Sequence, residues 1–386
     1  VRVYIVAASD AEQDEERRLR WGDHWFKESL GIAFKDAGHE IVIDVTQAQT
    51  VINCHGVSIE RLPEWTYNVL WIIGHPDAVT VDECNQYDAV FAESQKLTAH
   101  LREQGIDAQW LPGASDFVPM DVPKTHKRVF VGNVRGAGHP GKLSRPCIDA
   151  LEGNYDGLEV WGEGWDWLPE GVWQGLYYPH DKLNELYAAS ETVLNDVHED
   201  MARWEMHNPR HYDILAVAGR RVPTFADCAE RIMRGAYVLR GLDLGCGARK
   251  RPGLTGVDRV GGEDIIEHDL ESWLPGEIGP QDVIVADNIL EHINNVIPLV
   301  NHCHDALMPA GRMHVRVPSA TTAAAFQDPT HVRYFVPETF DYFDIAHNRW
   351  QEYGRAYGIK PWHIVRRTMD GVMIEVLMRP AEESAV

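Results

Sequence analysis

The chain has 386 residues, 44% of them hydrophobic and 25% charged, which is the composition of a folded protein rather than a disordered one. At about 150 residues per domain, this length calls for two or three domains, each with its own core. The formal net charge of -23 repels a phosphate backbone over most of the surface, so a general nucleic-acid-coating role is disfavoured and only local basic islands remain.

The six cysteines form no CxxC pair and are widely scattered, which suits free thiols in a reducing compartment and leads us to expect a cytoplasmic protein. No apolar run approaches the roughly 18 residues of a membrane helix, and VRVYIVAASD reads as a strand followed by acids, not as a signal peptide.

Short β-branched runs alternate with helical patterns along the chain, the sign of βαβ units and parallel sheets. A first round places strands near 1–7, 40–45, 68–73, 88–91 and 108–111, with helices over 25–37 and 95–104. The Pro-bearing passage from Leu111 to Pro123 continues neither element and reads as a linker.

A second round places strands near 128–131, 158–161, 173–177, 192–195 and 221–225, and a helix over 180–190 that gathers Leu183, Leu186 and Tyr187 on one face. A third runs from 237 to 379 and ends in two apolar runs around Met369-Asp370-Gly371, a hairpin signal. The expected architecture is α/β: two Rossmann-like domains (1–118 and 119–235), then a third (236–386) with a C-terminal antiparallel hairpin.

In the third round, an apolar strand runs into Asp243-Leu-Gly245-Cys246-Gly247, where glycines let the backbone pass close to a ligand. Any nucleotide-binding α/β domain, or a plain strand-to-helix turn, produces that motif. The order of the downstream residues is more specific: Asp258, then His268-Asp269-Leu270, then Asp287-Asn288, each near a strand end. Acceptor-only carboxylates suit an adenosine ligand, Asp258 for the ribose hydroxyls and Asp269 for the adenine amino group.

Together DLGCG, GVD, HDL, DNILEHI, LMPAGRMHVRVPS and DPTHVRYF resemble the serial motifs of class I S-adenosylmethionine (SAM)-dependent methyltransferases. The resemblance implies SAM as cofactor, held by Asp243, Gly245, Cys246, Gly247, Asp258, Asp269, Leu270, Asp287 and Asn288. Two departures stand out. Ala248-Arg249 replaces the family's third glycine, and 247–257 is too short for a full helix, so a more open site is expected.

Beside that loop, Arg249, Lys250 and Arg251 either hold a phosphate-bearing acceptor or form a solvated basic turn. Methyl transfer to oxygen needs alignment and a base, for which His331 and His292 are the candidates, His331 preferred.

The first two rounds lack a GxGxxG fingerprint, which disfavours a dinucleotide enzyme and suggests a paired-domain cleft. The stretches around Tyr87, Trp110, Val129 to Asn133 and Asn208 to Gly219 resemble GT-B glycosyltransferases of the spore-maturation-protein type. That resemblance implies a nucleotide-sugar donor bound by Gly132, Asn133, Lys142, Arg145, Arg210 and Asp213, with Glu205 facing the donor sugar in an E-x7-E spacing that Asp213 completes. Helix N-terminal charges explain the same pair.

Lys124, Lys127, Arg128, Arg135, Lys142 and Arg145 form a positive island suited to a diphosphate, or a solvated loop. No metal is expected: Pro209 separates His207 from His211, and His302-Cys303-His304 reads as helix surface. The short passage from Phe225 to Gly241 makes the GT-B half look truncated.

The expected function is a bifunctional transferase adding a sugar and a methyl group to a glycan or glycoconjugate. Its rivals are a SAM-dependent methyltransferase with a non-catalytic binding module, and a nucleic-acid base-modifying enzyme, which the net charge disfavours.

Overall fold

A computed structural model describes residues 1–55, 62–139, 142–235, 239–272, 274 and 278–382; side chains are not described for 135–139, 142, 143 and 235. They divide into two compact units, one of Val1–Ile43, Thr50–Leu62 and Tyr67–Tyr237, the other of Asp44–Gln49, Pro63–Thr66 and Val238–Val386. No helix among the described residues is long and apolar enough to cross a membrane.

The first unit contains two parallel sheets. One is built from β1 (Arg2–Val6), β2 (Glu40–Ile41), β3 (Thr50–Cys54), β4 (Tyr67–Ile72), β5 (Ala89–Ala92) and β6 (Ala108–Trp110) in the order β2-β1-β3-β4-β5-β6. Helix Gly22–Asp36 buries Phe26, Leu30 and Phe34, and helix Gln95–Glu103 starts where the Ser94 side chain accepts from Leu97 N–H at 3.0 Å.

The second sheet takes β7 (His126–Val131), β10 (Leu158–Trp161), β11 (Trp173–Gly175) and β12 (Ser190–Val193) in the order β11-β10-β7-β12, while β8 (Arg135–His139) and β9 (Lys142–Ser144) form a separate antiparallel pair. Helix Leu183–Ala188 buries Leu186 and Tyr187, as the spacing predicts.

Three expectations change here. No strand was expected at Thr50–Cys54, yet β3 lies between β1 and β4 with all five residues buried, so it lacks the alternation that marks a half-exposed strand. The strand expected at 221–225 is instead a loop that enters helix Phe225–Gly235, because Pro223 lacks an N–H for a ladder and Asp227 accepts from Thr224 N–H at 2.9 Å. That helix places Phe225, Cys228, Ala229 and Ile232 in one core with Val3, Ile5, Phe26 and Phe34. The short passage after Phe225 thus reaches the core of the first sheet within one helix of 11 residues.

The second unit is built on one seven-stranded sheet: β13 (Gly241–Leu244), β14 (Thr255–Asp258), β15 (Ile265–Glu267), β16 (Gln281–Asp287), β17 (Leu307–Pro318), β18 (Trp362–Met369) and β19 (Met373–Pro380). Their order is β15-β14-β13-β16-β17-β19-β18, and β19 runs antiparallel to both neighbours.

The hairpin read from Asp370-Gly371 is present: Gly371 has φ +94, and the Asp370 carboxylate accepts from Val372 and Met373 N–H at 2.9 and 2.7 Å. Helix Val296–Ala306 covers the sheet with Leu299, Val300 and Cys303, so Cys303 is core and not helix surface. Ten residues from Gly245 to Leu254 join β13 to β14 without a helix, as the short spacing predicts.

Candidate cofactor and acceptor site

In an open parallel sheet, ligands gather beyond the carboxyl ends of the strands where the order reverses, because connections leave in opposite directions there. In the second unit that point lies between β13 and β16. Gly245 follows β13 with φ +63; a Cβ there would lie 2.6 Å from the Ile289 side chain, so only glycine fits the turn. Gly247 also has positive φ and donates its N–H to Asp258 at 2.8 Å.

Asp258 ends β14 and accepts a second bond from Val260 N–H at 3.0 Å, which orients the carboxylate while half of its lone-pair sites stay available. Asp287 ends β16, and Asn288 follows in the left-handed region, donating to it at 2.8 Å.

Arg251 ties this strand-end row together. Its guanidinium donates to Asp243 at 2.7 Å and to Asp287 at 2.6 Å, and its N–H adds 2.7 Å to Asp243. The guanidinium lies over the Trp65 ring at 4.8 Å. Asp243 is only 1% exposed; burial raises its pKa, against Arg251, which lowers it.

The basic triplet does not act as a unit, and only Arg249 is exposed. Arg251 is committed to two carboxylates, and Lys250 donates to the Leu254 carbonyl at 2.9 Å. Asp269 is exposed and pairs with Arg259 at 3.1 Å, its pKa lowered chiefly by the Glu271 N–H; Leu270 is buried beside it and Cys246 is half-buried.

Next to Asp287 opens a cavity of about 640 Å³ lined by Asn288, His292, Arg316, Asp328, His331 and Asp370, among others. The two candidate histidines thus share one wall, their rings 4.8 Å apart and edge to face. Behind them lies Glu291, fully buried, with neither carboxylate oxygen hydrogen-bonded and its pKa pushed up to about 7 by burial. The sequence reading named the two histidines as bases and missed Glu291, which the motif places directly before His292.

The residues assigned to a sugar donor also come together. Gly132, Asn133, Arg145, Arg210 and Asp213 line a cavity of about 580 Å³ in the first unit. It opens at the ends of β1, β3 and β7, again where strand order reverses. The Lys142 side chain lies outside the described residues.

Glu205 is elsewhere: exposed, at φ +57, and 3.4 Å from Lys96. Asp213 accepts from Ser115 Oγ at 2.6 Å, and burial pushes its pKa up to about 7.

Of the positive island, the Arg135 and Lys142 side chains lie outside the described residues, and the other four do not converge. Lys124 donates to the carbonyls of Ala188 and Ser190, Lys127 pairs with Asp156, Arg128 donates to the carbonyls of Asn154 and Asp156, and buried Arg145 pairs with half-buried Asp196. His207 and His211 stack, with centroids 4.0 Å apart.

No family model and no curated protein matches the chain. Among solved structures, it is similar over 37% of its length to 72% of Burkholderia thailandensis 1,6-didemethyltoxoflavin-N1-methyltransferase, at 16% identity and TM-score 0.27, in a structure with bound S-adenosylhomocysteine. It is similar over 36% of its length to 86% of a SAM-dependent methyltransferase from Archaeoglobus fulgidus, at 14% identity and TM-score 0.25. At these scores the likeness carries no argument about function.

Proposed function

We propose that the second unit is a SAM-dependent methyltransferase acting on an acceptor held in the Asn288–His331 cavity. The carrying observation is the row of Gly245, Asp258 and Asp287 at the reversal point of the sheet, with a polar cavity directly beside it. Asp258 has acceptor capacity for ribose hydroxyls. Asp287, partly exposed at the end of β16, offers negative charge to the ammonium of the methionine portion, while Arg251 holds the Asp243 and Asp287 carboxylates in place.

In the transfer, an acceptor oxygen attacks the methyl carbon, the carbon–sulfur bond breaks with its electron pair going to sulfur, and S-adenosylhomocysteine leaves. The acceptor proton departs on the cavity side, where His292 and His331 stand. Calorimetric titration with SAM and S-adenosylhomocysteine tests the reading; absence of binding to either ends it.

A second reading concerns the first unit. Its cavity collects five of the residues assigned to a donor, which favours a ligand-binding module for a nucleotide sugar or the glycan itself. Glu205 lies outside that cavity wall, and the Arg145 charge is matched by Asp196, so binding without glycosyl transfer is the better-supported form. Hydrolysis or transfer of a labelled nucleotide sugar by the full chain would overturn it.

A further inference from the structure

Glu291, His292 and His331 each present one ligand-type atom, all within 4.8 Å of one another. The hydrogen bonds around them set which ring nitrogens are free to bind. Thr330 spends its only hydroxyl proton on Asp328, at 2.6 Å, so at 3.0 Å from His292 Nδ1 its oxygen can only accept. His292 therefore carries its proton on Nδ1 and leaves Nε2 as a bare lone pair.

His331 is fixed the same way. Its Nδ1 stands 2.9 Å from the Ala325 carbonyl, which only accepts, so its Nε2 is bare as well, 4.0 Å from Glu291 Oε1. Both carboxylate oxygens of Glu291 lack a hydrogen-bond partner although the residue is fully buried.

With Glu291 ionised, three acceptors share one partly buried corner with no donor among them, an arrangement that costs free energy unless a proton or a cation fills it. The loop is held for this: the Glu291 carbonyl accepts from Val332 and Arg333 N–H at 2.8 and 3.0 Å, fixing the two segments together. Outer partners that set the imidazole tautomer, here Thr330 and the Ala325 carbonyl, are what metal-binding histidines use.

We propose that Glu291, His292 and His331 form a site for a divalent transition metal, two imidazoles and one carboxylate, with its open positions facing the acceptor cavity. Bonds of about 2.0 to 2.2 Å require the three ligand atoms to draw in by about 1 Å, a side-chain adjustment. The donor set suits zinc or ferrous iron over magnesium or calcium, which take oxygen ligands.

The site's role rests on the methyltransferase reading: a hydroxyl-bearing acceptor binds the ion through its oxygen, loses its proton to solvent at neutral pH, and is thereby both oriented and activated. The histidines then act as ligands rather than as the base.

The test is titration of the chelator-treated full chain with Zn²⁺ and, separately, Co²⁺, followed by calorimetry and by the visible absorption of bound cobalt. One equivalent is expected to bind at this site. Glu291→Gln and His331→Ala should each lose that equivalent, and the near-isosteric Thr330→Val, which frees His292 to take the other tautomer, should weaken it by about 10- to 100-fold.

Asp258→Ala should keep the metal while its SAM affinity falls about 10- to 100-fold, so failure of the metal site and failure of the methyltransferase reading are separately visible. Thermal melts establish that each variant is folded. No stoichiometric binding of either ion, or binding unchanged in folded Glu291→Gln and His331→Ala, would overturn the proposal in favour of a protonated Glu291 bonded to His331.

Discussion

Replacing Arg251 by Met removes the guanidinium, and with it the cation over the Trp65 ring, but keeps most of the aliphatic stem. Two carboxylates lose a partner, and they are not equivalent. Asp287 keeps the Asn288 amide at 2.8 Å and Arg316 at 3.6 Å, so its loss is small. Asp243, 1% exposed, is left with the Arg251 N–H, and breaking a buried ion pair costs about 3 to 5 kcal/mol. The side chain of Arg251 is itself 19% exposed, so we expect the low end, about 3 kcal/mol.

The cost must also depend on pH. Burial already raises the Asp243 pKa, and without Arg251 it rises further. A raised carboxyl pKa stabilises the folded state at low pH, where the group holds its proton, and that contribution disappears as pH rises through the folded value. The deficit of Arg251→Met relative to the wild type should therefore be largest near pH 8 and shrink toward about pH 5. Urea unfolding at both pH values, with hydrogen exchange at the β13 amides, measures it. A deficit below about 0.5 kcal/mol at both, or one that grows on acidification, would refute the reasoning.

Asp213 should show the same sign in the first unit: with its pKa pushed up to about 7, its stabilising contribution is complete below the unfolded value and lost as pH rises through about 7. In Asp213→Asn, thermal melts between about pH 5 and 8 should fall less steeply than in the wild type, and parallel slopes would contradict this. Gly245→Ala forces a Cβ to 2.6 Å from Ile289 at φ +63, so a loss of about 1 to 3 kcal/mol in urea unfolding is expected together with weakened SAM binding. Gly162→Ala meets backbone instead, its Cβ 2.2 Å from the Gly132 carbonyl oxygen at φ +139; we expect a loss of about 3 kcal/mol or more, and a melt within a degree of the wild type would show the loop free to move.

What the sequence made legible came from local rules. The hairpin around Gly371 and the strand-end carboxylates Asp258 and Asp287 depend on a turn residue or on a short apolar run, both visible in a few residues. β3 was hidden because a strand buried on both faces has no period of two. The segment Pro63–Thr66 belongs to the second unit although its chain neighbours belong to the first, and nothing in a linear reading signals that.

Charge was the least legible property. Six basic residues near one another in sequence suggested one anion site, yet Lys124, Lys127, Arg128 and Arg145 turn to separate local partners. Glu291 was overlooked because a Glu beside a His near a strand end reads as ordinary surface until the fold shows it buried and without hydrogen bonds.

The most direct measurement is calorimetric titration of SAM into the full chain and into Asp258→Ala. The account predicts one SAM per chain, with affinity reduced about 10- to 100-fold in the variant through loss of charge-assisted hydrogen bonds worth about 1.5 to 3 kcal/mol. No binding to the wild type, or indistinguishable curves for the two folded proteins, would contradict it.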